Sequence, residues 1–404
     1  MREPRLLTWS GMDERDWLHS KESLREWLTH EGPPEFGDAV DKWRSPGRPG
    51  PVRGALLASD REDALARLDV AKPVRGRERP VALLFPGQGA QHALMGTRLY
   101  QRDPVFTAAM DEVFELFGAE GTAIRDDWLS SRPRIDPDDL RRAQPLLFAV
   151  DRALGRMVCG WGVRPAALLG HSVGEVAAAT MAGVFGVADA VTMMRDRIGR
   201  LTGQPAGGML AVAADPDEVR PFLRDVVVGA VNARRQLMLA GLDGPLREAE
   251  AALRAAGYGC RRAKATTAFH SPVIAPALTG SKDALASLSL RAPGIPLYSG
   301  YTGGRLSPGT ATDPAFWADQ PAQPVLFGPA LDALLADQDH LLVDAGPSES
   351  LAALARRHPK VRSGASAVTA LLPAAPGDDR GAVLRAAAAL WLEGHELDLT
   401  AIDR

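Results

Sequence analysis

Cysteine is scarce: Cys159 and Cys260 are the only two in 404 residues. That excludes a disulfide framework and a cysteine-rich zinc site, and it suits a reducing cytosol. An excess of charge is missing as well. A formal net charge of −3 gives no general case for nucleic acid or membrane partners. Met1-Arg2-Glu3-Pro4 leads into no apolar signal-peptide core, and no uninterrupted apolar run reaches the length of a membrane span. Pro86-Gly87-Gln88-Gly89-Ala90-Gln91 carries two glycines but no Gly-Lys-Ser/Thr and no third spaced glycine, so the P-loop and dinucleotide fingerprints both fail. Neither an internal repeat nor a low-complexity tract is visible. What is there is ordinary globular composition, 46% hydrophobic and 24% charged, long enough for two or three domains. A cytoplasmic protein is expected.

The most informative stretch is Leu168-Leu169-Gly170-His171-Ser172-Val173-Gly174-Glu175. An apolar run ending at Gly170 reads as a short buried strand, and a helical pattern with Ala177, Ala178 and Met181 follows. Gly-x-Ser-x-Gly between strand and helix is the nucleophile-elbow pattern: a tight turn presents the serine oxygen where free N–H groups favour negative charge. The same residues also fit an ordinary capping box, Ser172 with Glu175 three positions on.

Residues 1–78 read as a small unit with strands at 5–9 and 52–58. Its first helix carries Trp17, Leu24, Trp27 and Leu28 until Pro33-Pro34 stops it. A Gly/Pro loop at 45–51 and a second helix, opened by the capping box Ser59-Asp60-Arg61-Glu62, complete it, and 72–79 reads as a charged linker. A larger unit begins with the buried strand 80–85 and continues through helices at 106–117, 144–159 (Pro145 in the first turn) and 188–201. It resumes after 265 with strands at 296–299 and 341–344 and helices at 325–335 and 382–392. Between its halves, 205–265 runs strand–helix–strand–strand–helix–strand, the ferredoxin-like order.

A serine nucleophile needs a base, usually histidine. Of eight histidines, His19 and His30 lie in the N-terminal unit, and His358 and His395 sit among charged residues. His340 opens a strand, His92 follows the glycine loop, and His171 adjoins the serine. His270, in an apolar-flanked loop, is the best of the eight, with a structural histidine as the competing reading.

Four stretches occur together in one order: Phe85-Pro86-Gly87-Gln88-Gly89-Ala90-Gln91, Ala143-Gln144-Pro145-Leu146-Leu147-Phe148-Ala149, Gly170-His171-Ser172-Val173-Gly174-Glu175 and Ala268-Phe269-His270-Ser271. The set resembles a malonyl-CoA:acyl carrier protein acyltransferase, more closely the acyltransferase domain of modular polyketide synthases. Met193-Met194-Arg195-Asp196-Arg197, Gln323-Pro324-Val325, Val343-Asp344-Ala345-Gly346-Pro347 and Leu390-Trp391-Leu392-Glu393-Gly394 extend the likeness from about residue 80 to the C terminus. Residues 1–78 resemble the linker domain that joins such domains to a ketosynthase.

The resemblance implies an α/β fold: an α/β-hydrolase-like core (79–204 and 266–404), an inserted ferredoxin-like subdomain (205–265) and an N-terminal α/β linker domain (1–78). It implies that Ser172 is acylated, that His270 is the base, and that the backbone N–H groups of Gln88 and Val173 form the oxyanion hole. Arg197 would grip the malonyl carboxylate and Gln144 would position it. The Gln323 backbone carbonyl would orient His270, while His171 and Phe269 would line the substrate site. No bound cofactor or metal is expected. The substrate would be malonyl-CoA, and the partners an acyl carrier protein with its phosphopantetheine and, through the linker-like unit, a ketosynthase. The pairs Arg234-Arg235, Arg261-Arg262 with Lys264, and Arg356-Arg357 are the basic candidates for receiving an acidic carrier.

Thr267 stands where malonyl-specific domains usually have histidine, and Gly300-Tyr301 lies where polyketide examples often have asparagine. Both departures bear on the acyl unit rather than on the chemistry. The rival readings are an α/β-hydrolase, which would want an HGGG-type loop that is missing; an acyl-carrier hydrolase, in which the arginine tends to be replaced; a carrier-to-carrier acyltransferase; and a non-catalytic scaffold.

Overall fold

The computed structural model describes residues 3–43 and 49–402. Most of the predicted 45–51 loop lies outside them. Three sheets organise the chain. The first joins β1 (Arg5–Gly11), β2 (Val52–Ala58) and β3 (Val74–Arg75) in antiparallel order. β3 falls in the stretch expected to be a linker. Trp9, Trp17, Leu24, Leu28 and Leu56 form this unit's own core. Its helix Arg61–Val70 is capped by Asp60, whose side chain accepts from the Asp63 N–H, rather than by Ser59; the helix Phe36–Lys42 before it was not anticipated.

The central sheet has six strands: β4 (Val81–Phe85) and β5 (Ala167–Gly170), then β10 (Leu297–Ser299), β11 (Gly304–Arg305), β12 (Leu341–Asp344) and β13 (Ala367–Ala370). Their order is β11-β10-β5-β4-β12-β13, parallel throughout except for β11. Strands covered on both faces read as continuous apolar runs, as β4 and β5 do. Leu83, Phe85 and Leu168 enter the core on one face, and Ala82, Leu84, Ala167 and Leu169 the core on the other.

The third sheet is formed by β6 (Gly207–Val212), β7 (Val227–Ala233), β8 (Gln236–Leu242) and β9 (Cys260–Arg262), ordered β7-β8-β6-β9 and antiparallel. With the helix Asp243–Ala255 on it, this is the ferredoxin-like arrangement expected for 205–265.

Some boundaries differ from the sequence reading. The helix expected from 144 runs Leu140–Gly160 with Asp139 as its N-cap, so Pro145 is internal rather than in the first turn. Its fixed φ is helical and its missing N–H forfeits one backbone bond. The helix Gly118–Leu129, the short strand β11 and the half-buried edge strand β13 were not anticipated. The N-terminal unit packs on the helix Asp379–Glu393: Trp391 donates to the Gly54 carbonyl at 3.0 Å, Arg53 lies over the Trp391 ring, and the Glu78 N–H donates to the Glu393 carbonyl at 2.7 Å. Among the described residues no helix is long and apolar enough to cross a membrane.

Candidate active site

The carboxyl ends of three neighbouring strands meet at one level, where Phe85 of β4 and Ser299 of β10 both pair with Gly170 of β5. Open α/β sheets place their sites at such ends. Directly after Gly170 the chain turns so sharply that Ser172 adopts φ +54°, a left-handed conformation uncommon for a residue with a side chain. The helix Gly174–Met181 then begins. Gly174 lies against the carbonyls of Phe85 and Pro86, and a β-carbon there would overlap both. The elbow is thus wedged against the loop that carries Gln88.

The capping-box alternative is not realised. Val173 is the N-cap, and no side chain of the described residues caps the helix. Glu175 instead points into the protein, where it accepts from Ser299 Oγ at 2.6 Å and from the Gly300 N–H at 2.9 Å. Burial pushes its carboxyl up to about 8, against the lowering effect of Ser299, the Gly300 N–H and Arg197.

Ser172 Oγ lies 2.9 Å from His270 Nε2. His270 Nδ1 is 2.9 Å from the backbone carbonyl of Gln323. A carbonyl can only accept, so the proton resides on Nδ1 and the Nε2 lone pair faces the serine. The imidazole is held in place from its own backbone too, His270 N–H donating to the Pro321 carbonyl at 2.7 Å. Burial, His171 and Arg197 together lower its pKa to about 3, against the raising effect of the Gln323 carbonyl. The ring is therefore neutral at physiological pH and free to take a proton.

The other histidine candidates are engaged elsewhere. His171 Nε2 donates to Asn232 Oδ1 of β7 at 2.8 Å, and its ring packs on Phe327. His92 Nε2 bonds to the Pro347 carbonyl at 2.7 Å. Among the described residues, neither the Val173 nor the Gln88 backbone N–H has a hydrogen-bond partner. Gly87 lies close to the elbow, a β-carbon on it falling 3.0 Å from Ser172 Cβ. Two unpaired donors beside a positioned hydroxyl suit an oxyanion.

Arg197, on the helix Val187–Leu201, is only 5% exposed. Its Nη2 donates to Gln320 Oε1 at 3.2 Å and to the Trp317 carbonyl at 3.4 Å. No carboxylate among the described residues pairs with it. Asp196 beside it is spent on Arg200 and Ser281. Gln144 does not hold the arginine as expected: its Nε2 faces Gln88 Oε1 at 3.5 Å, and its own Oε1 is buried without a partner among the described residues. Both glutamines thus belong to the surroundings of the loop after β4.

Phe269 is buried with Leu201, Met209, Ala240 and Ile274, its ring 6.1 Å from that of His270. Thr267 lines an opening of about 630 Å³ that also includes Arg141, Gln204 and Lys264. Three residues near the site had no role in it assigned from the sequence. Glu175 read as a cap. Gln320 carried no motif signal. Tyr301 stood out only as a departure, yet its hydroxyl is buried and its ring lies 6.0 Å from that of His270.

A strained serine, a histidine aligned by a carbonyl and, among the described residues, two unpaired N–H donors on an α/β-hydrolase-like core are the arrangement that serine acyl transfer requires. The chain belongs to the acyl transferase domain family, whose model matches residues 82–390. It is 38% identical over 322 residues to a phenolphthiocerol/phthiocerol polyketide synthase subunit of Mycobacterium tuberculosis, a match that covers 79% of this chain and 22% of that protein. To polyketide synthase GfsB of Streptomyces halstedii it is 35% identical over 327 residues, 75% of this chain and 6% of the relative. It therefore spans a minor part of these relatives' length. Among solved structures, the acyltransferase domain of SpnD in complex with 2-(pent-4-yn-1-yl)malonyl superimposes with a TM-score of 0.86 at 28% identity, covering 99% of this chain and 98% of that one. The acyltransferase domain from the second module of the salinomycin polyketide synthase gives 0.79 at 31% identity, covering 97% and 94%.

Proposed function

We propose that this acyltransferase domain moves a malonyl group from malonyl-CoA, by way of an ester on Ser172, to the phosphopantetheine thiol of an acyl carrier protein in polyketide synthesis. The observation that carries the reading is Arg197, a buried cation with no carboxylate partner among the described residues, beside the serine–histidine pair. Such a charge is costly to leave alone and favours a substrate that brings its own carboxylate. The malonyl-class group bound in the SpnD domain is consistent with this.

In the first half-reaction, Ser172 Oγ attacks the thioester carbonyl while His270 Nε2 takes its proton. The negative charge that forms on the carbonyl oxygen is met by the Gln88 and Val173 N–H groups. The carbon–sulfur bond breaks, and His270 returns the proton to the departing CoA sulfur. In the second half, His270 takes the proton of the carrier's thiol, the sulfur attacks the seryl ester, and the proton passes to Ser172 Oγ as it leaves. Bulk at Phe269 favours malonyl over methylmalonyl by about 1–3 kcal/mol, the worth of one methyl group.

Of the basic pairs, Arg235 is tied to Glu218, Arg262 to Asp243 and Glu250, Lys264 to Asp138, and Arg356 to Glu349. Arg234 and Arg357 line one groove of about 480 Å³ that also includes Asn232, the partner of His171. That groove is the favoured place for an acidic carrier, and a ketosynthase would adjoin the N-terminal unit. Transfer assays with radiolabelled malonyl-CoA and a panel of carrier proteins test the reading. Malonyl-carrier should form with Ser172 intact, and release of free malonate alone would mark a hydrolase.

A further inference from the structure

Glu175 and Arg197 are both buried and lie on consecutive helices next to Ser172, yet they do not form an ion pair. Gln320, itself fully buried, stands between them. Its Oε1 accepts from Arg197 Nη2 at 3.2 Å, and its Nε2 lies 3.5 Å from Glu175 Oε1. An amide has an accepting end and a donating end, and here each meets the group it suits. The remaining partners of Glu175, Ser299 and Gly300, hold that carboxyl away from the arginine. On Arg197, only Nη2 is engaged; Nε and Nη1 make no hydrogen bond among the described residues.

We propose that Gln320 is the positioning residue of the carboxylate clamp: it separates Arg197 from Glu175 and fixes the guanidinium with its unused edge presented to the acyl group. This rests on the reading of Arg197 as the carboxylate-binding residue. An arginine allowed to pair with an internal carboxylate would have little left to offer a substrate, because the two anions would compete for one fork. A neutral amide anchors the cation without satisfying its charge. Selection for a carboxylated acyl group then depends on a residue that meets the substrate only through Arg197.

The test compares kcat/KM for malonyl-CoA and acetyl-CoA in wild type, Gln320→Glu and Gln320→Met. Gln320→Glu supplies Arg197 with an internal carboxylate, and the malonyl-to-acetyl ratio should fall by roughly a hundredfold or more. The loss should appear mainly as a raised KM for malonyl-CoA, since the clamp binds the carboxylate in ground and transition states alike. Gln320→Met keeps the volume but removes the anchor, and it should lower the ratio by roughly tenfold, the worth of one hydrogen bond to a charged group. Met also covers the case in which a buried glutamate prevents folding. Parallel losses for both CoA esters, with the ratio kept in either folded variant, would overturn the proposal, as would unchanged kinetics. The underlying reading fails separately: wild type would then load acetyl as fast as malonyl before any variant is made.

Discussion

Replacing Arg197 with alanine removes the guanidinium and leaves its neighbours, Gln320 and the Trp317 carbonyl, in place. The side chain is 5% exposed and has no anionic partner among the described residues, so its contacts with a malonyl carboxylate would form in a nearly dry site. A bidentate contact is two charge-assisted hydrogen bonds, each worth about 1.5–3 kcal/mol. Their loss amounts to about 3–6 kcal/mol, or roughly 10²- to 10⁴-fold in kcat/KM for malonyl-CoA. Acetyl-CoA should behave differently. It cannot satisfy Arg197 in the wild type, so the substitution removes an uncompensated buried charge and its rate should hold or rise. Arg197→Lys keeps the charge but lacks the planar fork, and it should fall between the two. Competition between malonyl-CoA and acetyl-CoA, read as the ratio of the two acyl-enzymes by intact mass, reports the effect within one sample. A ratio unchanged in a folded Arg197→Ala protein would refute the clamp, and so would equal losses for both substrates.

Phe269→Ser should erode the malonyl-over-methylmalonyl ratio by no more than about 1–3 kcal/mol while leaving malonyl-over-acetyl intact; movement of both ratios together would contradict separate origins. His270, with its pKa lowered to about 3, should keep acylation flat as pH falls from 8 to about 5, whereas an acid limb near 6.5 would show that the base is an ordinary exposed imidazole. Glu175 and Asp344 have carboxyls raised by burial to about 8 and about 7. Folding favours their protonated forms, so their contribution is complete below the unfolded carboxylate range and is lost as pH rises through 7 and 8. Melting temperature should therefore decline from pH 6.5 to 9 and decline less in Glu175→Gln; equal slopes would remove Glu175 from the account. Arg234→Glu combined with Arg357→Glu should raise the carrier protein's KM and weaken its salt dependence with acyl-CoA loading unaltered, and an unmoved KM would place carrier docking elsewhere.

The parts of the site that could be read in the sequence are those fixed by local geometry. Gly174 must be small because the elbow lies against the Phe85 and Pro86 carbonyls, so Gly-x-Ser-x-Gly marks Ser172 without knowledge of the rest. The strands β4 and β12 and the ferredoxin-like order were legible because apolar runs bounded by turn residues carry little ambiguity. Glu175 was not, since a glutamate three residues past a serine fits a cap equally well; Ser299 and Gly300, 124 and 125 positions away, decide its direction. Gln320 meets Arg197 across 123 residues, and no period or spacing announces such a contact. The Gln144 expectation failed for the same reason: its amide found Gln88 on the nearer loop. Edge strands β3 and β13 escaped because an exposed or half-buried strand shows neither a continuous apolar run nor clean alternation.

The central claim is a malonyl ester on Ser172, and intact-protein mass after brief exposure to malonyl-CoA tests it most directly. Wild type should gain the mass of one malonyl group, lose it when a phosphopantetheine-bearing carrier protein is added, and show no gain in Ser172→Ala. Labelling of Ser172→Ala to the same extent, or no labelling of wild type by any malonyl-class thioester, would contradict the account.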